Sequence, residues 1–168
     1  RAGSFDSYEV FGRHKFSIGE ANFQLSFDYL ESKDDENRII TADLQSTLDG
    51  IFGTNASNAP GRIDEHYEIF TGLAKVQWQK VSFEYFTWRN FDVGRAAGIA
   101  QALDTQGHVS NQYEEYRINY DLSDLVTGDL SVTMSYQDQE TNSFLYVFPA
   151  GTVLPIGADG NIDFVSPT

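Results

Sequence analysis

Residues 116–122 read YRINYDL, and residues 130–137 answer with LSVTMSYQ. In the first run Tyr116, Ile118, Tyr120 and Leu122 alternate with Arg117, Asn119 and Asp121. In the second, Leu130, Val132, Met134 and Tyr136 alternate with Ser131, Thr133, Ser135 and Gln137. Successive side chains of a strand point to opposite faces, so a period of two gives each run one greasy and one polar side. Residues 123–129, with Gly128, lie between the runs and predict the connection of a hairpin.

Working outward, the same period appears four more times. Tyr8, Val10, Gly12, His14, Phe16 and Ile18 alternate with Glu9, Phe11, Arg13, Lys15 and Ser17. Phe23, Leu25, Phe27 and Tyr29 alternate with Gln24, Ser26 and Asp28. Phe70, Gly72, Ala74, Val76 and Trp78 oppose Ile69, Thr71, Leu73, Lys75 and Gln77, the least clean of the set. Val81, Phe83 and Tyr85 oppose Ser82 and Glu84, before Phe86 and Trp88 break the pattern. The reading is three hairpins, at residues 5–30, 67–88 and 113–138. Tight turns are expected at residues 19–22 and around Gln79 and Lys80. Long segments at 31–66, 89–112 and 139–168 separate the hairpins. Two of them predict short helices: 43–52, with Asp43 as N-cap and Leu44, Leu48, Ile51 and Phe52 on one side, and 93–103, rich in alanine.

The predicted fold class is all-β, an antiparallel up-and-down meander of about six strands. An apolar face opposite a polar face also describes a half-solvated soluble sheet. Three features point instead to part of a transmembrane β-barrel wall. In a meander, alternate connections fall on opposite ends, so short turns gather at one end and long loops at the other, as in outer-membrane barrels. Aromatic residues sit near both ends of the greasy faces: Phe16, Phe23, Trp78 and Tyr120 beside the turns, and Tyr8, Tyr29, Tyr85 and Tyr136 at the far ends. The opposite faces carry Arg13, Lys15, Asp28, Lys75, Glu84, Arg117 and Asp121, whose charges need water.

The totals bound the function. Thirteen Phe, nine Tyr and two Trp with 14 Gly lean toward β-structure. A net charge of −14 repels phosphate backbones, so no nucleic acid is expected as a partner. The absence of cysteine removes disulfides, thiolate metal sites and a Cys nucleophile. No window holds the roughly 18 apolar residues of a membrane helix. The chain begins at Arg1 and reads as a piece of a longer or processed protein.

The long segments resemble the extracellular half of the barrel of bacterial TonB-dependent receptors. The resemblance rests on three places. One is DLQSTLDGIFGTNASNAPG at residues 43–61. The second is the spaced set Val93, Gly94, Gly98, Ala102, Leu103, Asp104 and Gly107, directly before a strand. The third is Phe148, Pro149, Ala150 and Gly151, followed by Leu154, Pro155, Asp159, Gly160 and Asn161. No single motif is sharp; their order carries the likeness. It implies a non-enzymatic receptor at the outer membrane of a Gram-negative bacterium, taking up a scarce nutrient such as an iron chelate (siderophore). Its implied partners are outer-membrane lipid, lipopolysaccharide, a small-molecule ligand, and TonB through a plug domain absent from this chain. Such barrels close about 22 strands, so six leave two open edges, which invite strand-edge self-association of the fragment.

No resident cofactor and no metal is expected. The chain has no nucleophile elbow, P-loop, dinucleotide fingerprint or zinc-protease helix motif. His14, His66 and His108 are far apart and read as surface or girdle residues. Asp159, Asn161 and Asp163 begin like a calcium loop, but Phe164 stands where glycine is needed, so this reads as a turn around Gly160. Asp34, Asp35 and Glu36 read as a solvated loop tip, with calcium bridging to lipopolysaccharide phosphates as a weaker idea. For ligand binding the candidates are Arg62, Trp88, Arg89, Arg95 and Tyr113, as loop guanidinium forks for carboxylates and rings that stack on sugars or chelates. The alternative reading is a soluble β-rich ligand-binding module of carbohydrate type; an enzyme with a site spread over the loops ranks third.

Overall fold

The computed structural model describes residues 2–4, 6–35, 37–125 and 128–153. The readings at Leu154, Pro155, Asp159, Gly160, Asn161, Asp163 and Phe164 lie outside them, as does Glu36. The chain divides into two compact units. The first comprises Arg1–Ser32, Tyr67–Asp92 and Ser110–Asn142; the second comprises Lys33–His66, Val93–Val109 and Ser143–Thr168.

The first unit is built on one open six-stranded sheet. Its strands are β1 (Tyr8–Ile18), β2 (Ala21–Ser32), β5 (Tyr67–Trp78), β6 (Val81–Gly94), β7 (His108–Asp121) and β8 (Ser131–Phe144). They lie in the order β1-β2-β5-β6-β7-β8, with β1 and β8 as free edges. The predicted meander is therefore present, and the six strands do not close.

Register follows from the turns. Gly19, at φ 58°, opens a two-residue turn after Ile18, and β1 then pairs with β2 from Ile18↔Ala21 to Tyr8↔Glu31. The β2/β5 register runs from Ala21↔Trp78 to Ser32↔Tyr67. It places Phe70, Gly72, Ala74, Val76 and Trp78 on the same side as Phe23, Leu25, Phe27 and Tyr29. Gly72 and Gly12 flank Phe27 across neighbouring strands, and a Cβ at Gly12 would stand 2.5 Å from the Phe27 ring. Glycine here makes room for the ring to lie across the sheet. The second turn is Gln79 and Lys80, with Gln79 in the left-handed region at φ 51°. A 3₁₀ turn at Ser123–Leu125 lies in the third connection, where the Leu122 N–H donates to Leu130 O at 2.8 Å.

The strands outrun the alternation that signals them. β6 continues past residue 88 to Gly94, β7 begins at His108 before residue 113, and β8 continues past 138 to Phe144. The loop expected at 89–112 shrinks to residues 95–107. Arg89, Asn90, Asp92, Ser110, Asn111, Gln112, Glu140 and Asn142 are polar on both faces, so hydrophobic period vanishes while backbone pairing persists.

The second unit has its own small framework. β3 (Ile39–Ile40) pairs with β4 (Gly61–Arg62). α1 (Leu44–Phe52) forms where expected, with Asp43 as N-cap. The Asp43 carboxylate accepts from Ser46 N–H at 2.8 Å while Ser46 Oγ accepts from Asp43 N–H at 3.0 Å. Gly53, at φ 64°, ends the helix. The expected helix at 93–103 does not form. Ala97 bridges Leu103, Gly98 N–H donates to Ala102 O, and Gln101 is left-handed at φ 58°. Tertiary bonds take the groups a helix would use. Asp43 Oδ2 accepts the Leu103 N–H at 2.7 Å, and the Gln45 amide donates to Ala100 O at 2.5 Å. Ala56, Ile63, Ala102 and Leu103 form its buried apolar core.

Candidate functional site

The two faces of the sheet have different chemistry. On the apolar face Leu25 is 46% exposed, Phe27 47%, Ile118 50%, Tyr120 43%, Val132 47% and Met134 72%. Full burial of such side chains is worth about 1.5–3 kcal/mol each. Half-open, these six alone forgo on the order of 5 kcal/mol, comparable to the whole stability of a small domain.

Tyrosines border that face, and their hydroxyls meet acids. Tyr8 donates to Glu31; Tyr29 donates to Glu31 and to Glu68, each at 2.9 Å. Farther along, Tyr85 and Tyr116 donate to Glu114 at 3.2 and 3.0 Å, and Arg89 pairs with Glu114 at 2.8 Å. The rings touch across strands: Tyr8–Tyr29 at 5.8 Å, Tyr85–Tyr116 at 4.9 Å and Tyr116–Tyr136 at 6.3 Å.

The registers place these tyrosines along the strands. The two-residue turn sets Trp78 opposite Val81, and the Lys75–Glu84 pair keeps that register. Asp121 N–H donates to Lys80 O, and Arg117 meets Glu84, which fixes β6 against β7. Asn119 with Thr133, and Asn111 with Thr141, fix β7 against β8. Followed along these registers, the row of Tyr8 reaches β8 at Asn142, whereas the β8 tyrosine is Tyr136, six residues nearer the turns. Tyr29 lies two residues nearer the turns than that row, and Tyr85 and Tyr116 lie six nearer, level with Tyr136, so the border is level across β6, β7 and β8 and lies farther from the turns on β1 and β2.

The opposite face carries a charge ladder. Lys75 lies 3.6 Å from Glu84, Glu84 lies 3.3 Å from Arg117, and Arg117 lies 2.5 Å from Glu115. Tyr113 donates to Glu115 at 3.2 Å. Surface pairs of this kind add little stability singly; their value here is to hold polar groups on one side of the sheet.

The five residues expected to bind ligand do not form one cluster. Trp88, Arg89 and Tyr113 lie on strands, not on loops. Trp88 and Arg89 are sequence neighbours and therefore face opposite sides. Arg89 belongs to the apolar side with Glu114. Tyr113 shares the polar side with Phe86, ring centres 6.0 Å apart, and Trp88 follows Phe86 by two residues on that side. In the second unit, Arg62 reaches Asp34 at 3.9 Å, and the Arg95 N–H donates to Gly107 O. Asp34 is not a solvated loop tip: its side chain is only 9% exposed, beside Arg62. Among the described residues no group of three or more metal-ligating side chains converges.

Sequence reading missed the acids of the second unit. Burial alone would raise the pKa of Asp43, but donors from Leu103, Ser57 and Ser46 outweigh it and hold the carboxyl below its ordinary range. Asp49 behaves alike: burial opposes ionisation, while Thr54 Oγ1 and the N–H groups of Ala56 and Ser57 lower it. These bonds knit residues 43–57 and 100–103 together. Their only trace in the sequence is an acid at each end of a short amphipathic run. Comparison with protein-family models, curated proteins and solved structures finds no match.

Proposed function

We propose that this chain forms part of the wall of an outer-membrane β-barrel, in a receptor for TonB-dependent uptake of a scarce nutrient such as an iron chelate. The observation that carries the wall reading is the exposed apolar face bordered by tyrosines toward the strand ends away from the short turns. Outer-membrane barrels flank their apolar band with aromatic residues at the membrane–water interface. In this reading the apolar face meets lipid and the charge ladder lines the interior. The open edges at β1 and β8 continue into further strands of the parent protein, or into a second copy when the fragment is alone.

The receptor part of the reading rests on the resemblance of the long segments. It is supported by the hydrogen bonding of residues 43–58 to 100–103, which gives the connections a fixed structure able to present side chains. Arg62 and Arg95 stay as candidates for an anionic ligand there, and Trp88 and Tyr113 as interior stacking residues. Arg89 is reassigned to the membrane side.

The two tryptophans offer a test, because Trp78 lies on the apolar face and Trp88 on the other. In vesicles of tail-brominated lipid, the Trp88→Phe variant, which keeps Trp78, is expected to be strongly quenched. The Trp78→Phe variant is expected to be quenched weakly. Equal quenching, or none, contradicts the wall reading. For uptake, the parent receptor with Arg62→Ala and Arg95→Ala is expected to bind an anionic iron chelate less tightly; unchanged affinity removes these two residues from the ligand site.

A further inference from the structure

A polar cleft of about 270 Å³ lies across β6, β7 and β8, toward the strand ends away from the short turns. Eight residues line it, Asn90 and Asn111 together with these six: Arg89, Phe91, Ser110, Gln112, Glu140 and Asn142. By strand alternation all six point to the same side as Tyr85, Tyr116 and Tyr136. The registers group them into two neighbouring rows: Arg89 with Gln112 and Glu140, then Phe91 with Ser110 and Asn142. The cleft thus continues the greasy face beyond its tyrosine line, where the surface turns polar.

Its height follows from the strands. Gln112 lies four residues beyond Tyr116, about 13 Å along the strand, or about 10 Å along the membrane normal at a tilt of about 40°. Tyrosines of a belt sit at headgroup level, so the cleft stands at the outer part of the headgroup layer.

The donor set selects the ligand. The Arg89 charge is engaged by Glu114 at 2.8 Å, and Glu140 adds a second carboxylate beside the Asn142 amide at 2.8 Å. Two carboxylates against one guanidinium, in a chain of net charge −14, disfavour a phosphate. Amides and carboxylates together suit neutral hydroxyl groups, each of which both donates and accepts. The Ser110 hydroxyl and the side-chain amides of Gln112 and Asn142 supply both donors and acceptors at the cleft. Phe91, 46% exposed, offers an apolar face for a sugar ring. We infer that this cleft binds the sugar headgroup of a membrane glycolipid whose acyl chains lie on the apolar face below. The inference rests on the wall reading of the sheet.

The test places the 168-residue chain in phosphatidylcholine nanodiscs, with and without glucosyl-diacylglycerol, and follows the side-chain amide NMR signals of Gln112 and Asn142. Those signals are expected to shift and saturate with the glycolipid. Phe91→Ala and Glu140→Gln, both on exposed side chains, are each expected to weaken the response about tenfold. The Asn119 amide, on the other face and outside the cleft, reports that the strands remain paired. No shift overturns the inference. An equal response to phosphatidylglycerol overturns it in favour of general headgroup contact. An equal response to free glucose overturns it in favour of a soluble-sugar site. Oxygen dissolved in the lipid tails reads the underlying wall separately, through broadening of the Leu25, Ile118 and Val132 methyl signals. Broadening without a sugar response sinks the cleft alone; absence of broadening sinks the wall reading and the cleft together.

Discussion

Asp43 shows how one residue can organise a segment that sequence periodicity renders only in part. Its N-cap role was legible, since a short acid before an amphipathic run satisfies helix N–H groups. Its second role was not: Oδ2 accepts from Leu103, 60 residues away, and no local pattern encodes that distance. Asp43→Ala removes the cap and leaves the Leu103 N–H without its acceptor. The expected cost to the second unit is on the order of 2–3 kcal/mol, measured as faster amide exchange at residues 44–57 and 100–104. Because the Asp43 and Asp49 carboxyls lie below their ordinary range when folded, they contribute stability above the unfolded carboxylate pKa of about 4. That stability is lost as pH falls through the lower, folded values. Amide protection in the second unit is expected to hold from neutrality to about pH 4 and then fall; a loss centred near pH 6 contradicts this assignment. At the sheet, Ile118→Arg is expected to cost about 2–4 kcal/mol in a bilayer. Asn119→Arg, one residue on and facing the other way, is expected to cost little. Denaturant titration of the chain folded in vesicles measures both, and equal costs contradict the facing.

Among the elements, β7 and β8 were the most legible, because each of their faces meets a single medium and hydrophobicity alternates without exception from Tyr116 to Leu122 and from Leu130 to Gln137. β5 was less so: Gly72 interrupts its apolar side, and Leu73 and Ile69 stand on the polar one. Where both faces meet water the period disappears, which hid the last turns of pleat in β6 and β8. The segment 93–103 misled for another reason. Its alanines favour a helix, but Gly94 and Gly98 weaken that preference, and bonds from Asp43 and Gln45 complete the backbone in another shape. The candidate site suffered likewise, because Trp88 and Arg89 look like one motif in sequence and lie on opposite faces in space. Strand tilt is an element-scale property, and the wall reading predicts it from the tilt common to such barrels. Polarised infrared spectra of oriented bilayers are expected to give a mean tilt of about 40°; strands parallel to the bilayer normal or lying in its plane contradict it.

The sheet has one polar face, one apolar face and two open edges. A single open sheet cannot hide its apolar side in water, and the described residues place no core over Leu25, Ile118 or Met134. In the proposed reading lipid covers that side. The chain has no cysteine, so single cysteines introduced along β8 report their own positions without background. Spin labels at successive positions from 131 to 137, with the chain in lipid vesicles, measure the medium at each face. Labels at 132, 134 and 136 are expected to collide with oxygen dissolved in the tails, and those at 131, 133, 135 and 137 with a water-soluble nickel reagent. A pattern without a period of two, or with its phase reversed, contradicts the assignment of lipid to the greasy face.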